Sequence, residues 1–152
     1  MLPSTQATTG GTELRRGGYE ISTRRDRLDL DLVHRFLSTE LWDTLGMARE
    51  VLERAVERSL CFGVYEGDRQ VGFARVVTDG ATFAFITDDF ILPAHRGQGL
   101  GAWMMRSVLA HPTLQGLHRV LLVTHDPRLY LRSGFTPLVD PENYMELAAS
   151  GA

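Results

Sequence analysis

The apolar positions change their period several times along the chain, and each change predicts an element. From Leu28 on, Leu32 and Phe36, with Leu30, Val33, Leu37 and Leu41 beside them, make a helical stripe that Trp42 and Leu45 extend loosely to a break at Gly46. Ala48, Val51, Leu52, Ala55, Val56 and Ser59 then recur at one-turn and two-turn intervals and predict a second helix. The next stretches are strand-like. Leu60–Tyr65 is apolar, Glu66-Gly67-Asp68-Arg69 is a turn, and Val71, Phe73 and Val77 alternate with smaller residues. Asp79-Gly80 is a hairpin signal leading into Phe83–Leu92, so three consecutive strands should form an antiparallel meander.

Beyond Pro93 the period is helical again, with Trp103, Met104, Val108 and Leu109 on one segment that Pro112 ends. Val120–Val123 is uninterruptedly apolar, which predicts a strand buried on both faces. It should lie parallel to Phe83–Leu92, joined to it by a right-handed strand–helix–strand crossover. Arg128–Ser133 reads as a short helix, Phe135–Leu138 as a strand, and Asn143–Leu147 as a last strand. At the other end, Met1–Gly18 has no apolar period and is rich in Thr, Gly and Ser, which predicts a flexible tail. Tyr19–Thr23 would be a short first strand. Residues 19–152 then make a single domain of α/β (α+β) class.

Between the Phe83–Leu92 strand and the next helix lies the segment with the most chemistry, Arg96-Gly97-Gln98-Gly99-Leu100-Gly101. A glycine turn opening a helix suits a phosphate group: backbone can approach closely, and the first helical N–H groups and dipole favour an anion. Arg96 adds a cation with planar donors. Two common nucleotide sites are excluded by spacing. A P-loop needs Lys and Ser/Thr after its last glycine, where Ala102 and Trp103 stand, and the glycines are not spaced as in a dinucleotide fold.

Composition narrows the class further. With 152 residues, 43% hydrophobic and 23% charged, the chain is an ordinary globular domain. A net charge of -3 without a basic stripe gives no footprint for nucleic acid. No apolar run reaches the length of a membrane span and no signal-peptide pattern is present, so a cytoplasmic location is expected. The lone Cys61, in an apolar stretch, reads as a buried inert thiol. His34, His95, His111 and His118 match no metal spacing, and no metal is expected.

The Arg96–Gly101 loop resembles the pyrophosphate loop of the GNAT acetyltransferase superfamily, and Tyr130-Leu131-Arg132-Ser133-Gly134-Phe135 resembles the Tyr-x-x-x-Gly-Phe that closes its core. The resemblance covers roughly Leu60–Phe135. It implies the GNAT fold, with a central mixed, mostly antiparallel sheet, one parallel crossover, and helices on both faces. It also implies an acetyl-CoA-dependent N-acetyltransferase. Arg96, Gly97, Gln98, Gly99, Leu100, Gly101 and Ala102 would cradle the coenzyme pyrophosphate. The two parallel strands would splay near Asp88–Phe90, with a bulge there, and the pantetheine arm would pair with backbone of Phe90, Ile91 and Leu92. An N–H near Ile91 would polarise the thioester carbonyl.

Tyr130 stands at the superfamily's tyrosine position and would be the general acid for the thiolate. Asp88 and Asp89 are adjacent and point to opposite faces in a regular strand, so one could collect the amine proton, unless a water chain does so. His125 ends a strand where α/β sheets place ligands, but an ordinary loop histidine is its default reading. Thr124 and Asp126 would contact pantetheine or orient the Tyr130 helix. The asparagine that the superfamily often carries near here is absent between Val123 and Tyr130. Phe36 and Trp42, on the early helices, either pack in the core or shape the acceptor side. The leading acceptor is the primary amine of a small molecule. A protein lysine or N-terminus, and a non-catalytic acyl-CoA sensor, are the alternatives. Exposed strand edges are compatible with a homodimer.

Overall fold

The structure is a computed structural model and describes residues 13–41 and 46–149. Among these residues six strands form one sheet in chain order: β1 (Glu13–Arg16), β2 (Tyr19–Ser22), β3 (Leu60–Glu66), β4 (Arg69–Thr78), β5 (Phe83–Ile91) and β6 (Arg119–Leu122). All neighbours are antiparallel except β5 and β6, which run parallel on either side of a helical crossover. The β3–β4–β5 meander stands where alternation placed it. Asp79 sets its second turn, its Oδ1 accepting the N–H groups of Ala81 at 2.9 Å and Thr82 at 2.8 Å while its Oδ2 accepts the Thr82 hydroxyl. Those bonds, the Thr82 hydroxyl foremost, hold the Asp79 carboxyl well below the usual carboxylate range.

Among the described residues four α-helices flank the sheet: α1 (Leu30–Phe36), α2 (Arg49–Glu57), α3 (Leu100–Ala110) and α4 (Arg128–Arg132). Asp29 caps α1, accepting from the Leu32 N–H at 3.1 Å. The chain leaves α1 through a π-helical turn, Leu37–Leu41. Two apolar clusters lie on the two faces. One packs α3, through Leu100, Trp103, Met104, Met105 and Val108, against Ile21, Phe62, Val64, Val76, Ala84 and Ile86. The other packs Val33, Phe36, Leu37, Leu52 and Val56 against Cys61, Phe73 and Phe90. Each fully buried side chain of this kind contributes roughly 1.5–3 kcal/mol, so both faces of the sheet hold the fold together.

Four expectations are corrected. The segment expected as a tail to Gly18 contains β1, paired residue by residue with β2 from Glu13↔Ser22 to Arg16↔Tyr19. Leu14, at that ladder's centre, packs against the α3 cluster, and this burial is what orders the hairpin. The strand expected to be buried on both faces is the sheet's edge among the described residues. β6 is only half-buried, Val123 is 81% exposed, and no strand covers it. Neither Phe135–Leu138 nor Asn143–Leu147 forms a strand; a single helical turn, Pro141–Asn143, is the one regular element there. Trp42 and Leu45 lie outside the described residues.

Candidate active site

The site is built on an irregularity in β5. Phe73 pairs with Phe90 but Arg75 pairs with Thr87, so β5 carries one residue more than β4 across this interval. Asp88 absorbs it in a left-handed conformation, φ 59°. Aspartate tolerates that region better than a bulky residue would. The bulge inverts the strand's parity. Ala84 and Ile86 join the α3 cluster before it, whereas Ile91 joins it afterwards and Phe90 turns to the α1 side.

The two aspartates of the bulge are held differently. The Asp88 side chain is 2% exposed, and its Oδ2 accepts from Arg75 Nε at 2.8 Å. Arg75 also donates to Ser59 Oγ at 3.1 Å, and Ser59 donates on to the Ala55 carbonyl of α2. Asp88 is thus tied through Arg75 to the end of a helix. Asp89 instead accepts the Tyr130 hydroxyl at 2.5 Å. Burial, and then the Asp89 charge and hydrogen bond, push the Tyr130 phenol well above its usual range.

Tyr130 is aimed by the turn before it. Thr124 Oγ1 donates to the Asp126 carbonyl and accepts the Asp126 N–H, and the Asp126 carboxylate accepts from the Arg128 backbone at 3.2 Å and from its guanidinium at 2.6 Å. The Arg128 contact holds the Asp126 carboxyl down to about 2. Behind the helix, Phe135 N–H returns to the Tyr130 carbonyl at 3.0 Å, and the rings of Tyr130 and Phe135 meet edge to face. Gly134, at φ 98°, allows that return.

β5 and β6 pair only from Phe83↔Arg119 to Ile86↔Leu122, and β5 then runs on without β6 to Ile91, still paired with β4. A cleft of about 520 Å³ opens where they part. It brings together Asp89, Phe90, Ile91, Arg96, Gly101, Thr124, Asp126 and Tyr130. Asp88, Leu92, Gly97, Gln98, Gly99, Leu100, Ala102 and His125 do not line it. The Leu92 N–H is bonded to Val71 O at 2.8 Å, so it is not a free partner for an added chain. Because peptide groups alternate sides along a strand, the Ile91 N–H and carbonyl face away from β4. Arg96 Nε occupies that carbonyl at 2.8 Å.

Arg96 leads into the glycine turn, where Gly97 and Gly99 have φ of 82° and 83°. A Cβ on Gly97 would meet nothing within 4 Å, so the turn is open above it. The first bond of α3 is Trp103 N–H to Gly99 O at 3.0 Å. The N–H groups of Leu100, Gly101 and Ala102 therefore have no helical acceptor, and donors of this kind bind phosphate.

Sequence reasoning missed Glu40, Met104 and Leu129, which complete the cleft wall. Glu40 sits on the π-helical turn after α1, a distortion that no residue spacing announces. Phe36 both packs and lines: it is buried, stacked on Phe90 with ring centroids 4.0 Å apart, and on the cleft wall. Among the described residues no group of three His, Cys, Asp or Glu is placed to hold a metal ion.

This architecture, with a bulged strand parting from a parallel neighbour above a glycine turn, is that of an α/β domain whose cleft opens toward an anion-suited helix N-terminus, and comparison narrows the class. The sequence profile of the Acetyltransferase (GNAT) family matches residues 26–135, and the chain belongs to that family. A candidate acetyltransferase of Gibberella zeae is 35% identical over 73% of this chain and 74% of its own length. A crystal structure of a candidate GNAT acetyltransferase from Xanthomonas campestris pv. campestris is 45% identical, covers 88% of this chain and 94% of its own, and superposes with a TM-score of 0.83. A Clostridium acetobutylicum protein solved with acetyl-CoA shares the fold, at 16% identity, a TM-score of 0.63, and coverage of 86% of this chain and 94% of that one.

Proposed function

We propose that the protein transfers an acetyl group from acetyl-CoA directly to the primary amine of a small molecule, with Tyr130 as the acid and Asp89 as the base. The observation that carries this is the 2.5 Å Tyr130–Asp89 hydrogen bond inside a cleft that leads to the glycine turn. The cleft is electrically polar. Arg96 stands toward the turn, where coenzyme phosphates would lie, and Glu40 and Asp89 carry acid for a cationic amine. The open φ-positive glycines and the free N–H groups of the first α3 turn suit the pyrophosphate. The Ile91 N–H suits the thioester carbonyl or the pantetheine amide.

A buried phenol is a weak acid, and a thiolate alone would not readily take its proton. Asp89 resolves this. An amine arriving as ammonium loses one proton to water. As its nitrogen bonds the acetyl carbon and the C–S bond breaks, Asp89 accepts a second proton. Neutralising Asp89 removes the charge that holds the Tyr130 proton, so the phenol becomes a stronger acid when the sulfur needs one. The proton on Asp89 then crosses the hydrogen bond to the phenolate and restores the pair. Asp88 serves as the anchor of the bulge, and Thr124 and Asp126 as the cap that aims Tyr130.

The experiment is CoA thiol release from acetyl-CoA with a panel of small amines, lysine peptides and no acceptor. At least one small amine should raise release tenfold or more over background. Tight acetyl-CoA binding with no acceptor-dependent release would favour a sensor, and faster turnover of lysine peptides would favour a protein acceptor. The proposal includes a cytoplasmic location. It also includes a homodimer formed across the open β6 edge, beside which Val139 lines a hollow with Arg119, Val120 and Leu121 and is 88% exposed. Light scattering would distinguish that dimer from a 17.0 kDa monomer.

A further inference from the structure

We propose that Arg16, on the N-terminal hairpin, is a second phosphate-binding cation of the coenzyme site. The inference rests on reading the Gly97–Gly101 turn as the pyrophosphate cradle. The β1–β2 hairpin touches that turn at two points and His95, just before it, at a third. The Tyr19 hydroxyl hydrogen-bonds His95 Nδ1 at 2.9 Å, Gln98 Nε2 donates to the same hydroxyl at 3.0 Å, and Arg16 Nη1 donates to the Gly99 carbonyl at 3.2 Å. The Arg16 guanidinium lies over the glycine itself, since a Cβ on Gly99 would sit 3.4 Å from its Nη2 and 3.5 Å from its Nη1.

Charge makes this placement informative. Gly99 is the N-cap of α3, the positive end of that helix, where an anion is stabilised and a cation is not. Three other arginines of the hairpin and the turn after it have carboxylate partners, Arg15 with Glu20 at 3.0 Å, Arg24 with Asp26 at 2.6 Å, and Arg27 with Glu13 and Glu20, and Arg25 is held by the Val56 and Ser59 carbonyls, away from any helix N-terminus. Among the described residues, no carboxylate lies within 4.0 Å of Arg16. The same holds for Arg96, whose Nε is on a carbonyl. Two guanidiniums without counter-ions thus bracket one helix N-terminus, each tethered by a backbone carbonyl, with further N–H donors unused. A bound phosphate turns that repulsion into attraction on both sides and accepts the fork of Arg16.

The test is calorimetric titration of CoA, dephospho-CoA and 4′-phosphopantetheine into the parent, Arg16→Gln and Arg16→Lys at two salt concentrations, with melting temperatures measured alongside. Arg16 is exposed, so both variants should fold. Arg16→Gln should bind CoA about tenfold more weakly, with a shallower salt dependence and an unchanged melting temperature, while Arg16→Lys stays within about threefold of the parent. An equal loss for dephospho-CoA would place the contact on the pyrophosphate, and a loss confined to CoA would place it on the 3′-phosphate; either supports the inference. If the parent binds CoA and Arg16→Gln binds it within twofold, the inference is overturned. A parent that binds no CoA overturns the reading of the turn itself, and this inference with it.

Discussion

At the residue scale, two adjacent aspartates of one strand meet unrelated partners because a single bulge separates their directions. Asp88 closes a buried ion pair with Arg75, and removing one partner of such a pair strands a charge. Asp88→Ala should therefore lower unfolding free energy by about 3 kcal/mol or more, whereas Asp88→Asn, which leaves the same charge stranded but tolerates φ 59° and still accepts from Arg75, should lose less. Asp89→Asn should leave stability nearly unchanged, reduce turnover, and move the alkaline limb of the pH–rate profile downward, because the charge that raises the Tyr130 pKa is gone. Denaturant melts and pH–rate curves on the three variants separate the roles; an Asp89→Asn variant with full turnover would remove it from the chemistry. Sequence alone could place both aspartates beside the cleft. It could not say which was buried, because Arg75 is thirteen residues from Asp88 and nothing between them fixes the register shift.

At the element scale, the meander, the α3 crossover and the Tyr130 helix were legible because each carries a strong period or a turn residue at its end. The N-terminal hairpin was not read, although Gly17-Gly18 between Glu13–Arg16 and Tyr19–Ser22 is a two-residue hairpin signal. Its strands are four residues each, too short for alternation to stand out from a polar, glycine-rich flank. The opposite error befell the C-terminal end. Val120–Val123 is apolar enough for a central strand, yet it lies at the edge, since composition reports burial preference and not which neighbour provides it. Deleting residues 1–17 removes the β1 ladder and the packing of Leu14, so melting should fall by on the order of 5 °C or more. An unchanged melting temperature would show that β1 adds nothing to the sheet.

At the scale of the whole molecule, the two cores also set how the protein responds to alkali. Cys61 is 2% exposed, and burial pushes its thiol from 9.0 up to about 11; burial likewise pushes the Tyr65 phenol from 10.0 up to about 12. The unfolded chain sheds these protons first, so the contribution of these two groups to stability should be constant below pH 9 and fall as pH rises from about 9 to 12. Cys61→Val should remove on the order of 2 kcal/mol of that fall between pH 9 and 11 while changing little at pH 7, as urea melts across the range would show. Among the described residues no helix is long and apolar enough to cross a membrane. What the whole fold does for chemistry is to bring α4, the β5 bulge and the α3 turn to one cleft, and its centre is the Tyr130 hydroxyl. The direct measurement is kcat for Tyr130→Phe against the parent on the best acceptor, with acetyl-CoA affinity measured in parallel. The ring and its contact with Phe135 remain and only the proton donor is lost, so kcat should drop by roughly 10²–10⁴-fold with affinity within about twofold. A Phe variant that keeps full kcat would contradict the account.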